Sequence, residues 1–247
     1  MRFDVVTVFP LMLQAMIREG ILGRALERGI MHVEVHDLRD FSGDRHRTVD
    51  DVTYGGGPGM VLKAEPFFGA VSAIKRKNGS PKAVVLLSPQ GRRFSHQEAL
   101  RLSQLSHITL LCGRYEGVDE RVRGLATDEL SIGDYVLSGG EIPAAVVVDA
   151  VARLLPGVVG NERSVAQDSF ARGLLDHPHF TRPAQVESHT VPEVLMSGHH
   201  DEIRRWRKRE ALKRTLERRP DLLEGASLDD EEREILRGLQ QEGKQLM

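Results

Sequence analysis

Three glycine-bearing turns hold the residues best suited to wrapping a ligand in bare backbone: Ser88-Pro89-Gln90-Gly91, Cys112-Gly113-Arg114-Tyr115-Glu116-Gly117, and the stretch from Ser131 to Glu141. Apolar runs, Ala83 to Leu87 and His107 to Leu111, precede the first two, so each turn is read as the end of a buried strand. Several such turns side by side make a binding site. A fourth stretch, Gly55-Gly56-Gly57-Pro58-Gly59-Met60, lacks the Lys-Ser or Lys-Thr pair of a phosphate-binding loop, and no strand leads into it with the spacing of a dinucleotide fingerprint. It is read either as a surface turn or as a loop offering backbone to a base or ribose, with Gly56 and Gly57 at its tip. The pairs His177/His179 and His199/His200 have neither helix-face spacing nor a cysteine nearby, so no structural zinc is expected.

Charge is segregated. Nine cations lie between Arg204 and Arg219, against Glu210 and Glu217, and Asp229 to Glu234 is acidic. Ile203, Trp206, Leu212 and Leu216 do not form one narrow stripe on this helix, so cations surround it and suit phosphate contact, with Arg204, Arg205, Arg207 and Lys208 as candidates. Trp206 either stacks on a base or anchors the helix to its own core. Asp168 lies in a polar stretch, and read alone it is an N-cap before Ser169; Arg153 ends an apolar helix upstream.

The elements that must position these residues alternate. Phe3 to Phe9 reads as a strand, Leu11 to Arg28 as one helix opened by Pro10, and Met31 to His36 as a second strand. Ser95 with Glu98 has the form of a capping box before a helix between the strands near residues 84 and 108. Ile142 to Leu155 reads as a buried helix. Strand–helix alternation predicts an α/β domain with a mainly parallel sheet over residues 1–160. Residues 161–173 read as an aperiodic linker, and 174–247 as a small all-helical domain with helices near 192–197, 201–218 and 229–242.

At 247 residues and 40% hydrophobic content, the chain can bury a core without disulfides, and its single cysteine, Cys112, reads as a small buried side chain. The net charge of −2 gives no global sign of a polyanionic partner. No run is long and apolar enough to span a membrane, and Met1 to Phe9 is unlike a signal peptide, so a cytoplasmic protein is expected.

The motifs Ser88 to Gly91, Cys112 to Arg121 and Ser131 to Glu141 resemble those of the bacterial tRNA (guanine-N1)-methyltransferases, members of the SPOUT superfamily. Tyr54 to Met60, Asn161-Glu162, Asp168-Ser169-Phe170, His177-Pro178-His179 and Thr181-Arg182-Pro183 follow in the order of that family, so the likeness spans the whole chain. It implies a trefoil-knotted α/β fold, a threading that general topology rules would not suggest. It also implies a homodimer with active sites shared between protomers, the anticodon arm of tRNA as partner, and methylation of guanosine 37 at N1. S-adenosyl-L-methionine is the implied cofactor, wrapped by Leu87, Ser88 and Pro89, by Gly113, Tyr115, Glu116 and Gly117, and by a third loop. That third loop contributes Ile132, Gly133, Asp134, Tyr135, Val136, Leu137, Gly139 and Gly140. The resemblance makes Asp168 the general base and Arg153 the partner of the guanine O6. Magnesium dependence is implied as well, with Glu116 a candidate contributor, although no metal-ligand spacing in the sequence indicates a site. Leu86 and Phe180 depart from the family pattern, which more often has an aromatic residue and a tyrosine there.

Overall fold

Val5, Val85 and Leu110 face one side of a sheet and Val6, Val84 and Leu111 the other, because successive side chains of a strand alternate. The computed structural model describes residues 1–160 and 162–245; Asn161, part of one motif named above, lies outside them. The chain divides into two units, Met1–Gly160 and Asn161–Met247.

The first unit runs β1 (Arg2–Thr7), α1 (Pro10–Ile17), α2 (Gly20–Glu27), β2 (His32–Asp37), β3 (Asp50–Asp51), β4 (Val61–Leu62), α3 (Ala64–Asn78), β5 (Ala83–Arg93), α4 (His96–Ser103), β6 (His107–Cys112), β7 (Asp128–Ser131) and α5 (Glu141–Ala152). Five strands form one sheet in the order β2-β1-β6-β5-β7, every neighbouring pair parallel. Helices α1, α2, α4 and α5 bury Leu13, Leu22, Leu102 and Val148 on one face. On the other, α3 buries Phe67, Ala70, Val71 and Ile74, a spacing of three and four that identifies an amphipathic helix. Helices on both faces explain the continuous apolar runs Ala83 to Leu87 of β5 and Ile108 to Cys112 of β6, interrupted there only by Thr109, whereas the edge strand β2 alternates apolar and polar residues.

Several expectations need correction. The helix expected from Leu11 to Arg28 is two, because Gly20 adopts φ +65°, which a continuous right-handed helix does not allow. Strand β5 does not end at Leu87. Leu87 and Arg92 both register with Leu130, so Ser88 to Gly91 is an outward loop within the strand. The glycine stretch near 55–60 connects an antiparallel pair, β3 and β4. At α4, Ser95 accepts a hydrogen bond from the Glu98 amide at 3.4 Å, while the Glu98 carboxylate turns instead to Arg92 and Arg101.

The second unit holds α6 (Glu162–Gln167), β8 (Gln185–Val186), β9 (His189–Thr190), α7 (Glu193–Met196), α8 (His200–Arg218) and α9 (Asp230–Gln245). The expected aperiodic linker therefore contains a short helix, and the expected all-helical unit carries a β8-β9 hairpin too short to leave a period in the sequence. Asp168 follows α6 rather than capping a helix, its amide donating to the Val165 carbonyl at 3.3 Å. Leu174, Leu212 and Leu239 form a small core. A reciprocal cap opens α9: the Asp229 carboxylate accepts from the Glu232 amide at 2.8 Å and that of Glu232 from the Asp229 amide at 2.9 Å. Among the described residues no helix is long and apolar enough to cross a membrane.

Candidate functional site

Close backbone contact builds the first unit's pocket. A Cβ on Gly140 would lie 2.6 Å from the Cys112 Cα, and one on Gly91 2.5 Å from the Leu130 amide nitrogen, so only glycine allows these chain segments to meet. The Gly140 amide donates to the Gly113 carbonyl at 2.8 Å, laying the third loop on the second. Within the third loop the Ser131 hydroxyl donates to the Gly133 carbonyl at 3.0 Å, and the Tyr135 hydroxyl donates to the Ile132 carbonyl at 3.3 Å. The second loop is tied to the glycine hairpin, since the Glu116 amide donates to the Met60 carbonyl at 3.0 Å and the Leu62 amide to the Gly117 carbonyl at 3.1 Å.

These loops enclose a cavity of about 320 Å³. Leu87, Ser88 and Pro89 line it from the first loop, and Gly113, Tyr115, Glu116 and Gly117 from the second. Ile132, Gly133, Tyr135, Val136, Leu137, Gly139 and Gly140 complete it. Asp134 is the one candidate cofactor residue outside the lining. Two arginines join the lining without having been named as candidates. Arg114 stands 3.4 Å from the buried Glu141, which also accepts from the Thr7 hydroxyl at 2.7 Å, and its guanidinium lies 4.5 Å from the Phe9 ring centroid. Arg123 pairs with Glu129 and Glu120 and donates to the Gln90 side chain at 2.7 Å, linking the first loop to β7. The local pair with Glu120 does not mark Arg123 as a pocket residue, because its contacts with Gln90 and Glu129 are made only in the fold. Burial, followed by the nearby Glu141 carboxylate, pushes the Cys112 thiol well above its ordinary pKa, so it stays protonated beneath the pocket.

In the second unit a cleft of about 430 Å³ brings Asp168 together with Arg172, Arg204, Arg207 and Lys208. Arg172 pairs with Glu232 at 2.9 Å. Arg204 and Lys208 both reach Glu231 at 2.7 Å, and Lys208 also reaches Asp229 at 2.6 Å. Partial burial disfavours the charged Lys208, yet hydrogen bonds to Asp229 and Glu231 outweigh it and raise its pKa. Arg205 points to solvent away from the cleft, and in the first unit Gly56 and Gly57 are exposed with φ of +75° and +117°. Arg153 follows the last turn of α5, its amide donating to the Asp149 carbonyl at 3.0 Å.

Beside the Asp168 cleft, the Asp176 carboxylate lies 2.7 Å from both His177 and His179. Burial lowers the pKa of His177. At Asp176 burial acts upward, but hydrogen bonds from His179 and the His177 amide hold the carboxyl below its usual range. The spacing of the two histidines gave no sign of this shared partner. Among the described residues, the clusters of three side chains able to share a metal ion are this one and Asp4, Glu34 and His36; neither includes Glu116.

An open parallel sheet with a loop-built pocket at the carboxyl ends of its strands defines an α/β protein whose candidate site lies where such folds bind their ligands. The sequence model of one family, described as tRNA (Guanine-1)-methyltransferase TrmD, matches residues 1–225. The chain belongs to this family. It is 56% identical over 241 residues to a protein of Pelotomaculum thermopropionicum, covering 97% of this chain and 96% of that one. A protein of Halalkalibacterium halodurans is 53% identical over 237 residues, with 96% of each chain covered. Another, from Dictyoglomus turgidum, is 51% identical over 242 residues, with 98% of each covered. All three bear the name tRNA (guanine-N(1)-)-methyltransferase.

Proposed function

We propose that this chain transfers the methyl group of S-adenosyl-L-methionine to N1 of guanosine 37 in tRNA, beside the anticodon. The observation that carries the reading is the pocket of about 320 Å³ built by three glycine loops, in a chain that belongs to the TrmD family along nearly its whole length. Its lining fits the cofactor's chemistry. S-adenosylmethionine has a nucleoside, a carboxylate and two positive centres but no phosphate; Arg114 and Arg123 are each engaged by carboxylates of the chain, and Glu116 adds an acid. A pocket whose cations are already paired suits a sulfonium better than a pyrophosphate. The trefoil knot of the SPOUT fold is the natural account of why a loop within β5 and the loops after β6 and β7 meet so closely.

When bound, the cofactor supplies an electrophilic methyl carbon. Neutral guanine carries a proton on N1, so its lone pair cannot attack until that proton leaves. Asp168 accepts it, and Arg153 stabilises the negative charge gathering on O6; an always-charged guanidinium suits that role. The three loops orient the methyl toward N1, and such positioning supplies a large part of a bimolecular barrier reduction. The target base leaves its stack to reach the pocket. Glu116, the candidate contributor to a magnesium site, belongs to no cluster of three metal-ligating side chains among the described residues.

Residues 1–160 serve as the cofactor domain, 161–173 as the segment carrying Asp168, and 174–247 as the domain that holds the anticodon arm through α8. The working form is a cytoplasmic homodimer whose active sites draw on both protomers. Its support is a set of exposed apolar side chains, Leu11, Met12 and Met16 on α1 with Ile142 and Val146 on the neighbouring α5, a grouping typical of a subunit interface.

Incubating the protein with unmodified tRNA transcript and labelled cofactor, then analysing nucleosides by mass spectrometry, tests the reading directly. N1-methylguanosine is expected. A methylated ribose would point to a different reaction on the same scaffold, and no labelled product would leave only an RNA-binding protein.

A further inference from the structure

Next to the Asp168 cleft, and wholly within the second unit, lies a second pocket of about 410 Å³. The two share a wall, since His177, Ile203 and Arg207 line both. Val191, Leu195 and Ile203 give the second pocket an apolar floor, and Arg182 and Arg207 supply cations at its rim. The Phe180 ring, 48% exposed, stands at its mouth. Behind it the Trp206 ring packs at 6.3 Å and 53°, an edge-biased contact that fixes the platform while leaving a face open. Of the cations lining the two pockets from α8, Arg204 and Lys208 hold carboxylates, whereas Arg207 forms no ion pair among the described residues.

We infer that this pocket takes the base of a nucleotide adjoining the target guanosine, stacked on Phe180, with Arg207 on the shared wall holding the phosphate between the two nucleotides. The inference rests on the proposed function for the identity of the base beside Asp168. An open aromatic face accepts any base by stacking, an apolar floor excludes water, and a guanidinium matches a phosphodiester. Two neighbouring pockets with a cation between them reproduce the repeat of a single-stranded nucleic acid: base, phosphate, base.

The test uses the full chain and anticodon stem-loop RNAs, intact or with an abasic nucleotide on either side of the target guanosine. Phe180→Leu keeps apolar bulk and removes the ring; it is expected to raise Kd for the intact loop about tenfold, with Phe180→Trp restoring tight binding. One abasic substitution should weaken wild-type binding by a similar factor and leave the leucine variant unaffected, since each change removes the same contact. Equal affinity of wild type and Phe180→Leu, or a loss that persists unchanged on both abasic loops, overturns the inference. Methylation of the intact loop at guanine N1 is measured in the same samples. Failure there removes the proposed function and this inference with it, while methylation without coupling between Phe180 and a flanking base removes only the latter.

Discussion

The two units deploy charge in opposite ways. In the first, a fully buried Asp4 gathers Arg2 at 2.9 Å, His36 at 2.7 Å and His107 at 2.6 Å, joining β1, β2 and β6 from inside the sheet. In the second, Glu231 and Asp229 hold Arg204 and Lys208 across helices whose charged faces meet solvent. A buried network has no water to replace a lost partner, whereas exposed pairs exchange readily with other anions. The inner network therefore fixes the frame behind the cofactor loops, and the outer one leaves a cationic surface that a polyanion can claim.

The sharpest break in this picture concerns chemistry rather than charge balance. Asp168→Asn removes the proposed base while keeping the shape of the side chain, so turnover should fall by about 10²- to 10⁴-fold with the cofactor Kd nearly unchanged. Single-turnover methyl transfer alongside cofactor titration measures both; full activity in the variant would move the base elsewhere.

Asp4→Asn probes the inner network. Burial alone would raise the Asp4 pKa, but hydrogen bonds from His36, Arg2 and His107 outweigh it and hold the carboxyl far below its usual range. Removing the charge should cost about 3 kcal/mol of stability near neutral pH, read by urea denaturation. Because the folded pKa lies below the unfolded value of about 3.9, this stabilisation is complete above that pH and is lost as pH falls toward the folded pKa. The gap between wild type and variant should accordingly shrink below about pH 4. A gap that stayed constant into acid would mean that Asp4 acts through packing alone.

Gly140→Ala tests whether the pocket depends on backbone proximity. Its new methyl would meet the Cys112 Cα at 2.6 Å and must push the third loop off the second, whereas at Gly124 a Cβ finds nothing within 4 Å. Overpacking of this kind costs about 1–3 kcal/mol, and a cofactor Kd raised at least about tenfold should accompany it, with Gly124→Ala as the silent control. Equal cofactor affinity in both variants would remove the close approach as the reason for glycine there.

What the chain discloses before folding follows the same division. Loops that need glycine show it in their composition, so the three turns are legible; their individual residues come from the family resemblance, and of these all but Asp134 line the pocket, to which Arg114 and Arg123 are added by the fold. The amphipathic spacing of Phe67, Ala70, Val71 and Ile74 is equally plain. Contacts between distant segments leave no such trace. Asp4 and His107 are 103 positions apart, and Arg123 meets Gln90 across 33, so these two links have no local signature. The loop inside β5 is hidden for a related reason, since it depends on what the segment packs against, Gly91 on the backbone of Leu130. On α8 the sequence displays eight cations, and the acidic run that follows, but not which carboxylates of α9 hold Arg204, Lys208 and Arg209.

That last contact yields the smallest expected effect and the most direct test of the outer network. Glu231 holds two cations of the Asp168 cleft, and unlike Asp229 and Glu232 it takes no part in the reciprocal cap of α9, so Glu231→Gln leaves the helix start intact. Stability should change by less than about 1 kcal/mol, the scale of exposed ion pairs. If the carboxylate stands where an RNA phosphate would otherwise lie, the variant should bind tRNA about threefold more tightly at low salt. Its log Kd should also depend more steeply on log salt concentration, by up to about one unit of slope for each released cation that contacts a phosphate. Filter binding across a salt series gives both quantities. Weaker binding with an unchanged slope would assign Glu231 a part in shaping the cleft instead, and would place the phosphate contacts on Arg205 and Arg207.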